Sequence, residues 1–323
     1  MAKAIAYKSF LDNSIIKETL MNNSLPLRIA LIANAAFSFT CVMLMVFKSS
    51  LVGEMLGIQA PLVLQVVGTG LAIFAVDLLH QATKSRIATW RALYASTGDF
   101  IWVLATLVLL VLFPNTLSSS GHLLAIAVSV TVLTFGAWQL WAIERTYKLP
   151  TNEYRLCVPV YVNAPADEMW NAIGNLGDIK KYAPSLKRSL ILDGKTPGVG
   201  AVRMCEDYTG KRWSEECVKF ENGRSLILRF VSEAPDFPFP VQTMRGGWEI
   251  VSGDRETQII VWWELMPKPK YLAPIILPLL AFQADRDLPK IIQNMAADVL
   301  GNTSKSISQE TLRAIAYILP QFC

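Results

Sequence analysis

The chain has 323 residues, 52% of them hydrophobic and only 17% charged, with a formal net charge of +4 at neutral pH. That length allows two or three domains, and so mild a charge gives no footprint for a nucleic-acid partner, the more so because residues 144–323 carry 22 Lys+Arg against 21 Asp+Glu. Five cysteines, an odd number without a CxxC pair, argue against a zinc site or a disulfide framework and for a reducing compartment.

Residues 1–28 are polar and lack a small-residue cleavage site after a short apolar core, so they read as a retained cytosolic leader and not as a signal peptide. Apolar runs follow at 29–47, 61–79, 100–113 and 123–143. A helix rising ~1.5 Å per residue needs about 20 residues to cross the hydrocarbon layer. Three of the runs suffice as they stand, and the third does so if it starts near Leu93 and takes in Asp99 at its polar end. None keeps the polar face of a soluble helix, so residues 29–145 are expected to form four transmembrane helices.

Cations set the expected orientation. Lys3, Lys8, Lys17 and Arg28 precede the first run; Lys84, Arg86 and Arg91 lie in the second loop; Arg145 and Lys148 follow the fourth run. The first loop offers only Lys48 beside Glu54, and the third has no Lys or Arg. By the positive-inside rule both termini are cytoplasmic, in a plasma or inner membrane, where the sequons at Asn22 and Asn302 would carry no glycan. His80 and His122 fall at opposite helix ends and read as interfacial. Asp77 lies about one turn inside the second helix and Asp99 begins the third. Carboxylates in membrane helices point to function, with Arg86 or Arg91 as partners, yet both sit shallow enough for hydration, and four helices without deep charge make a poor transporter.

Residues 146–153 form a short Pro-bearing linker, and from 154 onward the pattern becomes that of strands. Residues 154–162 alternate and are rich in β-branched and aromatic side chains. Asn163 then offers a cap, Pro165 suits a first turn, and Asp167 and Glu168 oppose the helix dipole. This helix runs through Met169, Trp170 and Ile173 to breaks at Gly174 and Gly177, and a second short piece covers 178–182. Six strands are predicted at 185–192, 200–208, 213–220, 226–231, 243–251 and 258–266. Hairpin-length turns between them imply an antiparallel sheet. The last strand is apolar on both faces, Ile259, Val261 and Trp263 against Ile260 and Trp262, unlike a half-solvated strand. After an uncharged loop at 271–282, residues 285–300 form a long amphipathic helix with Leu288, Ile292, Met295 and Val299 on one stripe. The tail, 301–323, is polar and then gives a short amphipathic helix over 308–319 through Leu312, Ile315, Ala316 and Leu319.

The run VYVNAPADEMWNAIGNLGDIKKYAPSLKRSLIL, followed by GVGAVRM, GKRWSEECVKF, GGWEIV and the closing helix, resembles the SRPBCC superfamily, also called START-like or helix-grip. Within it the likeness is to the polyketide cyclase/dehydrase and lipid-transport group, over residues 154–300; it does not extend to the four-helix half. The resemblance implies an α+β helix-grip domain, a curved antiparallel sheet wrapped around a long C-terminal helix. It also implies a deep hydrophobic cavity for a lipid, quinone, sterol-like or polyketide molecule. Signatures of this kind speak for fold more than for chemistry.

Trp170, Met204, Trp213, Phe230, Trp248, Trp262, Trp263, Leu288, Ile292 and Met295 are spread over the first helix, the strands and the last helix. With one face of each element turned to a shared space they give broad apolar walls to a cavity; otherwise they fill a solid core. Tyr271, Ile275, Ile276, Leu279, Leu280 and Phe282, with Lys268 and Lys270 aimed at lipid phosphates, form either a lip dipping into the membrane or a cover packed on the sheet. The soluble half has no histidine, which excludes a Ser-His-Asp triad or a His metal site there. A cyclase or dehydratase would need Glu206, Glu215 or Glu216 inside the cavity beside a tyrosine such as Tyr208. Strand alternation turns one acid of each neighbouring pair outward. The expectation is therefore a membrane-anchored domain that binds a hydrophobic small molecule and exchanges it with the bilayer, using no metal, no other cofactor and no nucleic acid. A cyclase or dehydratase and a non-enzymatic membrane assembly module are the alternatives.

Overall fold

A computed structural model of the protein describes residues 2–253, 256–301 and 316–318, with side chains for 23–253 and 256–301. By backbone contacts it divides into two units, one of residues 21–146 and one of residues 1–20 with 147–323.

The first unit is helical. Helix α1 (Ala2–Phe47) runs on through the expected leader with Pro26 inside it. Short α2 (Ser49–Leu56) precedes α3 (Pro61–Thr83), α4 (Thr89–Leu112) and α5 (Ser119–Tyr147). Four stretches, Asn23–Phe47, Pro61–Thr83, Thr89–Leu112 and Ser119–Tyr147, are long and apolar enough to cross a membrane. Their outer faces carry exposed Leu62, Ile73, Val76, Ile101, Leu104, Val111 and Leu123, while Asn34, Ser38, Ser96, Asp99 and Gln139 are buried. Small residues allow close approach: a Cβ on Gly68 would stand 3.0 Å from Met45 and Val46 of α1, and one on Gly136 of α5 would stand 3.2 Å from Asp99. Arg28 ties α1 to the end of α3, donating to the carbonyl oxygens of Ala82 and Lys84 at 2.6 Å and of Ser85 at 2.9 Å. These bonds satisfy carbonyls that a helix end leaves unpaired. Asp77 pairs with Arg91, not Arg86, and also accepts from Gln81.

In the second unit, β1 (Tyr154–Val162) is followed by α6 (Ala166–Gly174) and α7 (Ile179–Tyr182), joined by a 3-10 turn at Leu176–Asp178. The cap position of α6 falls on Pro165 and carries no side-chain bond, so Asn163 is not the cap expected from sequence. Then come β2 (Leu186–Ile191), β3 (Val202–Asp207), β4 (Arg212–Glu221), β5 (Ser225–Phe230), β6 (Val241–Ser252) and β7 (Thr257–Pro267), each within a few residues of its predicted strand. Hairpin turns make all these pairings antiparallel, and β1 closes the row beside β7.

Helix α8 (Ala273–Val299) is longer than predicted. Residues read as a loop form its first turns, because Pro274 stands where a helix has no N–H to lose, and a 3-10 turn at Lys270–Leu272 leads into it. Three residues of the tail, Ala316–Ile318, form strand β8 on the free edge of β1, where a helix was expected. The remainder of that predicted helix lies outside the described residues. Cys157 on β1 is disulfide-bonded, where the cysteine count argued against a disulfide framework. Cysteine spacing does not reveal pairing, and the cysteine argument for a reducing compartment loses its support.

Candidate functional site

Register assigns every strand residue a face. Tyr154, Leu156, Val158, Val160 and Val162 of β1 oppose Leu265, Trp263, Val261, Ile259 and Thr257 of β7. Those in turn oppose Met244, Gly246, Trp248, Ile250 and Ser252 of β6, and the row continues through Leu228 and Leu226 of β5. This inner face meets Ala284, Leu288, Ile292, Met295 and Ala296 of α8 and Met169, Trp170 and Ile173 of α6 in one hydrophobic cluster. Trp213, Trp263, Ile291 and Val299 pack against it while only partly buried. Trp170 is anchored by its indole N–H, which donates to Asn222 Oδ1 at 2.6 Å, and meets Phe220 edge-on at 5.4 Å.

Most of the predicted apolar lining is thereby brought together: Trp170, Trp213, Trp248, Trp263, Leu288, Ile292 and Met295 belong to or border one cluster. Phe230 joins through an aromatic group with Phe237 and Phe239, both at 6.4 Å, and Phe239 reaches Trp213 at 5.5 Å. Phe237 and Phe239 come from the turn between β5 and β6, which the sequence reading passed over; the alternation FPFP at 237–240 was the available signal. Met204 stands apart. It opposes Ser214 and Leu190, in alternation with buried Cys205, and so belongs to the outer face.

Two neighbouring glycines on β6 accommodate two neighbouring tryptophans on β7. A Cβ on Gly246 would come 2.9 Å from Trp263 on the inner face, and one on Gly247 would come 2.2 Å from Trp262 on the outer face. Each indole thus lies across the strand on bare backbone. Trp262 donates to Glu249 Oε1 at 2.7 Å and carries the Arg155 guanidinium 4.5 Å above its ring. That is how the outer face of β7 buries an aromatic side chain.

The carboxylate candidates separate by the same alternation. Glu206 faces outward, bound to Lys187 and Arg212 at 3.0 Å each, and its Lys187 hydrogen bond holds the carboxyl below the usual range. Glu216 also faces outward, 2.9 Å from Arg229. Tyr208, 71% exposed, sits in the β3–β4 turn. Only Glu215 faces inward, buried against Arg203 and accepting from the Trp213 N–H at 2.7 Å. Arg203 also donates to the Leu176 carbonyl at 3.2 Å. Burial pushes the neighbouring Cys205 thiol up to about 12, so it carries no thiolate at neutral pH.

Of the six predicted membrane-contact residues, Tyr271, Ile275, Leu279 and Phe282 are exposed and recur at helical spacing, while Ile276 and Leu280 turn inward. A cleft of about 340 Å³ opens elsewhere, lined by residues 163–166, Ser252, Gly253, Glu256 and Thr257, none of them among the predicted site residues. Among the described residues no group of three His, Cys, Asp or Glu is placed to hold a metal ion.

Residues 155–299 match the family described as polyketide cyclase / dehydrase and lipid transport. That stretch runs from β1 to the end of α8, and the architecture is helix-grip. Solved structures similar to the chain include a Zhui aromatase/cyclase from Streptomyces sp. R1128, 17% identical, covering 47% of this chain and 99% of that one at a TM-score of 0.39. Norcoclaurine synthase from Thalictrum flavum, in complex with dopamine and hydroxybenzaldehyde, is 18% identical over 47% of this chain and 89% of its own, TM-score 0.39. A solution structure from Thermobifida fusca is 21% identical over 45% and 94%, TM-score 0.38. No curated protein matches the chain.

Proposed function

We propose that the helix-grip domain binds a hydrophobic small molecule, a lipid, quinone or polyketide-like compound, between the inner face of its sheet and α8, and exchanges it with the membrane that anchors it. The observation carrying this reading is that the inner face presents more apolar surface than α8 covers: Trp213 and Trp263 border the core cluster and remain partly exposed. Burying apolar ligand surface there contributes ~25 cal/mol per Å² to affinity. The family match from β1 to α8 supports a hydrophobic ligand. Anchoring by four spans is supported by helices long and apolar enough to cross a membrane, and the placing of both termini in the cytoplasm by the distribution of lysine and arginine. The exposed apolar stripe on α8, next to exposed Lys268 and Lys270, suits contact with an anionic lipid surface.

Native mass spectrometry of the detergent-purified full-length protein is expected to reveal a co-purifying lipid or quinone. Trp263→Ala, which removes apolar surface left partly exposed at the border of the core cluster, should reduce that occupancy. Purified protein that carries no such molecule, and neither binds nor exchanges a fluorescent fatty acid or a naphthoquinone, rejects the reading.

An enzyme of the cyclase or dehydratase kind is favoured by one observation, the inward Glu215. Its ion pair with Arg203 gives it the role of an electrostatic partner in such a site. Glu215→Gln leaving conversion of a polyketide-like substrate intact would eliminate that reading.

A further inference from the structure

Asp99 was expected at the polar end of its span, within reach of water; instead it lies ten residues into α4, about 15 Å along a helix rising 1.5 Å per residue. It is only 4% exposed. Two amides hold it, one from each neighbouring helix: Asn34 Nδ2 of α1 at 2.9 Å and Gln139 Nε2 of α5 at 3.0 Å, both donating to Oδ2. The amide oxygens face away from the acid. Ser38 Oγ donates to Asn34 Oδ1 at 3.3 Å, and Ser96 Oγ approaches Gln139 Oε1 at 3.5 Å. All five side chains are buried.

The charged and titratable groups of the surrounding helices are engaged elsewhere. Arg28 of α1 sits on the carbonyls ending α3, and Asp77 of α3 is paired with Arg91 of α4. Arg145 of α5 lies over Trp141, and His122 contacts the Ser118 carbonyl. His80 and Glu144 stand toward the ends of α3 and α5. Among the described residues no cation reaches Asp99. A bare carboxylate in such a place would be an uncompensated charge in hydrocarbon, costing several kcal/mol or more. Both donors fall on Oδ2, which leaves Oδ1 to bear the hydrogen of a neutral carboxylic acid.

We propose that Asp99 is a proton-binding site within the membrane bundle, with the proton on Oδ1, held in place by the Asn34–Asp99–Gln139 bridge that joins α1, α4 and α5.

Infrared spectroscopy of the full-length protein in lipid, with aspartate labelled at the side-chain carbon, tests this directly. A protonated carboxylic C=O band is expected at neutral pH; Asp99→Asn should remove it, and Asn34→Ala should move it to higher frequency by taking one donor from that oxygen. Asp99→Asn is nearly isosteric with the acid and should melt within a few degrees of the parent. Should that variant fail to fold, Asn34→Ala still reports. A spectrum with ionised carboxylates alone, or a protonated band insensitive to both substitutions, overturns the proposal.

Discussion

Gly247 and Trp262 show how one missing methyl group organises a sheet. With no Cβ on Gly247, the indole settles against the backbone of β6 and is held there by Glu249 at its N–H edge and Arg155 over its face. Gly247→Ala forces the ring away, and overpacking of this kind costs about 1–3 kcal/mol; a lowered thermal midpoint of the full-length protein checks it. At Glu215 the expected loss is larger. Glu215→Ala leaves the Arg203 guanidinium buried without its counter-charge, a change worth about 3–5 kcal/mol, while Glu216→Ala, an exposed pair with Arg229, should cost under about 1 kcal/mol. A denaturation series on the three variants separates these values. Glu206, Glu215, Glu216 and the aromatics could be picked out in the strands from their residue types, but which of them face inward depends on register, and a slip of one residue reverses every assignment. Met204 was misassigned for that reason.

At the scale of elements, the strands were legible because turn residues bound each of them and β-branched and aromatic residues fill them, as in 257–267 and 241–252. The start of α8 was not. Pro274, Pro278 and the uncharged run around them read as irregular chain, yet a proline within the first turn costs no hydrogen bond, and Leu277, buried next to Pro278, provides the packing that keeps the helix going. The other end of α8 is held to α7 by charge. Asp298 accepts from Lys181 at 2.6 Å and from the Tyr182 hydroxyl at 3.0 Å, and Asn294 donates to the Tyr182 carbonyl at 2.8 Å. The Lys181 hydrogen bond holds the Asp298 carboxyl below the usual carboxylate range, and the same bond raises Lys181. A depressed acid contributes stability that is fully present above its unfolded value and is lost as pH falls through the folded one; a raised amine contributes below its unfolded value and loses it as pH rises. The clamp should therefore hold across neutral pH and weaken at both extremes. Asp298→Asn is expected to flatten the acid limb of a plot of melting temperature against pH, by under about 1 kcal/mol since both partners are half exposed.

For the whole molecule, composition declared the division into an apolar helical half and a strand-rich half before any coordinates, because lipid-facing helices lack the polar side that water-facing ones keep. What composition hid was the polar interior of the bundle: Asn34, Ser38, Ser96 and Gln139 are scattered singly through apolar runs and acquire meaning only when three helices bring them to Asp99. The apolar stripe of α8 likewise emerged once its loop became helix, since Ile275, Leu279 and Phe282 share a side only at helical spacing. If that side meets lipid, Leu279→Glu together with Ile275→Glu should slow transfer of a fluorescent lipid analogue between the protein and anionic vesicles several-fold, and leave the melting temperature within a few degrees. Unchanged transfer would assign the stripe to another contact.

The two indoles at 262 and 263 are adjacent in the chain yet open onto opposite sides of the sheet, one pinned beneath a guanidinium, the other bordering the oily core. Their emission should accordingly report different things. Trp263→Phe ought to diminish a fluorescence response to an added quinone or lipid, whereas Trp262→Phe ought to preserve it, so the difference between the two variants reports occupancy of the inner face without a label.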